Sequence, residues 1–139
     1  MNIVILDRMA LGEDIDMTVF EKLGNVTIYE RTSPDEVIER LKNADALLTN
    51  KVVIGAAEMD KLPGLKYIGI NATGTNNIDI EYAAKKNIAV TNVKSYSTDS
   101  VVQHTFALLF YVYEKLRSYD DFVKQGEYCD YGCFTYFGE

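Results

Sequence analysis

The chain is poor in the residues that build most metal, disulfide and nucleic-acid sites. Its 139 residues include one histidine, two cysteines, two prolines and no tryptophan. Cys129 and Cys133 lie near the end and His104 is far from both, so the ligands of a zinc site are missing. Both cysteines are expected to be free thiols in a reducing cytoplasm. Basic clusters are missing too: 14 Lys and Arg stand against 21 Asp and Glu, a formal net charge of −7. An acidic chain without a basic stripe is not made for nucleic acid. The longest apolar run, Phe106–Tyr113, is far too short to cross a membrane. Met-Asn-Ile-Val-Ile-Leu-Asp at the start lacks the length and positive charge of a signal peptide. The expectation is a soluble, cytoplasmic protein. No Gly-x-Gly-x-x-Gly occurs in the chain, which removes the dinucleotide fingerprint.

What is present is alternation. The length suits one domain, or one domain with an appendage. Ile3–Leu6, Val26–Tyr29, Ala44–Leu48, Tyr67–Ile70 and Ile88–Thr91 are short, apolar or β-branched runs that read as strands. Helical stretches fall between them. Met17–Leu23 is followed by Gly24, and Gly55–Leu62 is stopped by Pro63-Gly64. Ser33-Pro34-Asp35-Glu36 reads as a capping box opening a helix to Leu41, with Val37, Ile38 and Leu41 inward. Asp79 caps a helix to Lys86. Such spacing suits parallel crossovers. It predicts an α/β fold: a flavodoxin-like parallel sheet of five strands, order 2-1-3-4-5, with helices on both faces. Ligands of such sheets sit beyond the carboxyl ends of the strands. Here those ends are Asp7-Arg8, Thr49-Asn50-Lys51, Asn71–Thr75 and Asn92.

Within that frame one stretch stands out. After Tyr67–Ile70, residues Asn71–Asn77 are all small or polar, with Gly74 in the middle. A loop of this kind can bring bare backbone N–H groups close to an anion; it is equally an ordinary connection. It is no phosphate loop, since Thr75-Asn76 follows where Lys-Ser/Thr would be needed. Lys51, a lone cation at a strand end, is a ligand or a solvated side chain. The acids and lysine that a receiver domain places after strands one, three and five are absent. His104, on a mostly apolar helix, reads as a packed histidine rather than a catalytic one.

Beyond Asn92 the composition changes: twelve of the sixteen aromatic residues follow Ser95. Thr98 or Asp99 can cap a long helix, 98–117, apolar around nearly its full circumference. Such a helix is buried on more than one side. Tyr128–Phe137 is an aromatic arm without a regular period, expected to dock on another domain or subunit.

Residues 71–79, then 83–92, then Tyr96-Ser97-Thr98-Asp99-Ser100-Val101-Val102-Gln103-His104 resemble the D-isomer-specific 2-hydroxyacid dehydrogenases. Leu48-Thr49-Asn50-Lys51 fits the glycerate dehydrogenase (hydroxypyruvate reductase) branch. The resemblance runs the length of the chain. It implies a substrate domain at 1–97, then a helix and arm at 98–139 that lead to a nucleotide-binding domain. It implies NAD or NADP as the parent enzyme's cofactor, with none bound by this chain. The partners implied are a small 2-oxo or 2-hydroxy acid and a second copy joined through helix 98–117. The family's catalytic Arg, Glu and His have no counterpart here, and His104 matches a different position. Carried over are Thr73 and Gly74 as amide donors to the substrate carboxylate, with Ala72 adjacent. Asn50 and Lys51 line the same cleft, and Ser97 lies toward the nicotinamide. The rival expectation is a stand-alone binding or oligomerisation module without catalysis.

Overall fold

The computed structural model describes residues 1–136; Phe137, Gly138 and Glu139, the end of the aromatic arm, lie outside them. Two compact units form, Met1–Ser95 and a second beginning at Tyr96. The first is a five-stranded sheet: β1 (Asn2–Ile5), β2 (Asn25–Ile28), β3 (Ala46–Thr49), β4 (Tyr67–Ile70) and β5 (Ala89–Asn92). Every pair is parallel and the order is β2-β1-β3-β4-β5, as expected. Register aligns Ile28, Ile5 and Leu48, and aligns Thr49, Ile70 and Asn92. The carboxyl ends therefore share one edge.

The central strands read as continuous apolar runs because both their faces are covered. Val4, Leu6, Leu47, Ile68 and Ile70 pack with Val37, Leu41, Met59 and Ala83. These last come from α1 (Val37–Leu41), α2 (Ala56–Asp60) and α3 (Ile80–Lys85). All three helices thus lie on one face. On the other, Ile3, Ile5, Ala46 and Leu48 pack against Met17, with Leu11 and Phe20 beside them. Phe20 comes from a 3-10 helix, Thr18–Lys22. Helical structure covers both faces, but unequally. Gly24, expected as a helix stop, has a steric role as well: a Cβ there would sit 2.0 Å from the Met1 carbonyl oxygen.

The helix expected from Pro34 begins at Val37. Glu36 does reach back to the Ser33 N–H (2.9 Å), but the Ser33 hydroxyl donates to that same carboxylate at 2.7 Å. The hydroxyl is spent on Glu36, and the Glu36 N–H bonds the Ser33 carbonyl instead, so a tight turn precedes the helix. Asp79 caps α3 as expected, accepting from the Tyr82 N–H at 2.9 Å.

On the surface, Asp60 ties α2 to α3. It accepts from Lys86 Nζ and from the Tyr82 hydroxyl, each at 2.6 Å. The Lys86 bond, then the Tyr82 bond, holds the Asp60 carboxyl below its usual range, while Asp60 raises the Lys86 ammonium. The Asp60 contribution to stability is therefore present above about pH 4, the unfolded carboxyl value, and is lost as pH falls through the lower folded value. Lys86 contributes below its ordinary value and loses that contribution as pH rises through the raised one. Asp60→Asn is expected to flatten the acid limb of a Tm-versus-pH curve between pH ~5 and ~2; an unchanged limb contradicts this.

In the second unit, the helix expected over 98–117 ends at Tyr113: α4 spans Thr98–Tyr113. Lys115 adopts a left-handed backbone (φ 50°), which breaks the path, so Arg117 belongs to α5 (Leu116–Lys124). α6 (Glu127–Tyr131) follows Gly126, also left-handed. No residue of α4 is buried, His104 included. This departs from the expected packed histidine and helix buried on more than one side. The described part of the arm, by contrast, packs on α5. Phe122, 8% exposed, stacks on Tyr136 at 4.1 Å between centroids, with Tyr131 and Tyr128 edge-on at 5.5 and 6.3 Å.

Candidate functional site

Asp7, just past β1, organises the strand-end edge. Its carboxylate accepts from the Asn50 N–H (2.9 Å to each oxygen), the Lys51 N–H (2.7 Å) and the Thr49 hydroxyl (3.2 Å). Thr49 Oγ1 in turn accepts from the Val52 N–H at 3.1 Å. Asp7 and Thr49 are the two buried polar residues among those described. One acid thus satisfies the backbone of a connection that has no ladder of its own. Sequence reasoning placed Asp7 at this edge and gave it no role; the available signal was a lone carboxylate ending a fully apolar strand.

The loop after β4 is tied on both flanks. Toward the β3–α2 connection, the Asn71 N–H donates to the Thr49 carbonyl (2.8 Å), and Asn77 Nδ2 to the Val52 carbonyl (3.0 Å). Toward β5, the Ala72 carbonyl accepts from the Val93 N–H (3.1 Å), and the Thr73 carbonyl from Asn92 Nδ2 (2.8 Å). The Thr73 hydroxyl adds a bond to the Val93 carbonyl at 3.0 Å. In a planar trans peptide the N–H points opposite the preceding C=O. With the carbonyls of Ala72 and Thr73 turned to the β5 side, the N–H groups of Thr73 and Gly74 both turn away from it. Among the described residues neither finds an acceptor, and both residues are exposed. Two adjacent unpaired donors on the side away from β5 suit an anion such as a carboxylate. Gly74 is not in a left-handed conformation. A Cβ there would lie 3.3 Å from Asn76 Oδ1, so the bare Cα answers to close approach rather than to backbone freedom.

Of the other expected site residues, Ala72 is buried under the loop. Asn50 is half-buried, and its Oδ1 is buried without a partner among the described residues. Such an orphan acceptor suits a donor from a water or a ligand. Lys51 is exposed and lines a cleft of about 530 Å³ with Asp7 and Val52, which neither the loop nor Asn50 lines. Ser97 belongs to the second unit, at the start of α4, and its side chain makes no capping bond. Among the described residues no Gly-x-Gly-x-x-Gly turn follows any of the five strands.

A model of the D-isomer-specific 2-hydroxyacid dehydrogenase catalytic domain matches residues 3–131. The chain belongs to this family. Hydroxypyruvate reductase of Blautia hydrogenotrophica is 36% identical over 132 residues, 92% of this chain and 41% of that protein. Glycerate dehydrogenase of Methylorubrum extorquens is 34% identical over 138 residues, 97% of this chain and 43% of that protein. D-lactate dehydrogenase of Aquifex aeolicus, solved with NAD and lactic acid, superposes with a TM-score of 0.70. It is 25% identical, over 99% of this chain and 39% of that one. The chain thus spans about two fifths of the length of these relatives. The sheet beneath the strand-end loops is that of a 2-hydroxyacid dehydrogenase catalytic domain.

Proposed function

We propose that these residues are the substrate-holding part of an NAD(P)-dependent dehydrogenase that interconverts small 2-oxo and 2-hydroxy acids, hydroxypyruvate and glycerate being the representative pair. The observation that carries this reading is the pair of outward N–H groups at Thr73 and Gly74. A 2-oxo acid carboxylate accepts from both, with Ala72 beneath. Asn50 and Lys51 supply polar groups from the neighbouring strand end, and Ser97 lies toward the nicotinamide of the whole enzyme. Proton transfer and polarisation of the keto oxygen belong to groups outside these 139 residues, so the domain binds and orients the acid without turning it over. Two charge-assisted bonds of about 1.5–3 kcal/mol each, offset by the entropic cost of association, make the expected binding weak, millimolar or poorer. NADH consumption with hydroxypyruvate is expected to stay at the buffer rate in the presence of the 139-residue chain; turnover would overturn the assignment of the chemistry elsewhere.

The uncovered α4 supports a homodimer as part of this reading. Val101, Phe106, Leu109 and Phe110 are each more than half exposed, an apolar surface that lone chains in water seldom keep. Light scattering at micromolar concentration is expected to give twice the 15.7 kDa chain mass; a steady 15.7 kDa would contradict it.

A further inference from the structure

We draw no further inference here: the strongest candidate, the half of the sheet's second face over β4 and β5, where Tyr67 reaches the Thr91 hydroxyl at 2.6 Å and Ala89 and Thr91 stay exposed, carries nothing because nothing in the structure shows what covers it.

Discussion

Asp7→Ala is expected to cost about 3–5 kcal/mol of folding stability, because two backbone N–H groups and one hydroxyl lose their acceptor in a buried place. The side chain is small, so the loss would be out of proportion to its size. For a domain with a total stability of about 5–15 kcal/mol, this is a large fraction. The midpoint of urea unfolding is the readout. Asp7→Asn keeps one acceptor oxygen and is expected to lose about half as much. The Asn50 and Lys51 amides should shift most in both variants, since Asp7 holds them at 2.9 and 2.7 Å. A change under ~0.5 kcal/mol, the size of an ordinary surface substitution, would mean that the connection carries its own order.

Phe122→Ala is expected to melt α5 and α6 while the sheet stays folded. Phe122 is the one buried residue among the described residues of the second unit, and Tyr136, Tyr131 and Tyr128 all pack on its ring. Truncating a buried phenylalanine costs about 3–5 kcal/mol. Two helices of nine and five residues have little else to hold them, being too short to persist alone in water. Near-UV circular dichroism should lose the aromatic signal, and helical signal should fall. Amides of Leu47 and Ile68, buried centrally in β3 and β4, should keep their protection from exchange. Loss of protection in both units together would show that they fold as one.

Strand composition made the sheet legible. Runs such as Ile3–Leu6 and Tyr67–Ile70 are apolar without alternation, which only strands covered on both faces can sustain. Asp79 was legible as a cap because its carboxylate has one nearby use. The small-residue loop was legible as a possible anion site. The direction of its N–H groups was not, since Asn92 and Val93 decide it from another strand. Asp7 was hidden for the same reason: its partners lie more than forty positions away, beyond any local pattern. The end of α4 was missed because Lys115 is a good helix former whose backbone nonetheless turns left-handed. The apolar circumference of α4 implied burial that the described residues do not supply.

The most direct test of the account is a titration of the 139-residue chain with hydroxypyruvate, read at the backbone amides. Saturating shifts are expected at Thr73 and Gly74, with smaller ones at Ala72 and Asn92 and a midpoint in the millimolar range or above. Thr73 and Gly74 amides that stay unmoved while the acid binds elsewhere, or does not bind at all, would contradict it.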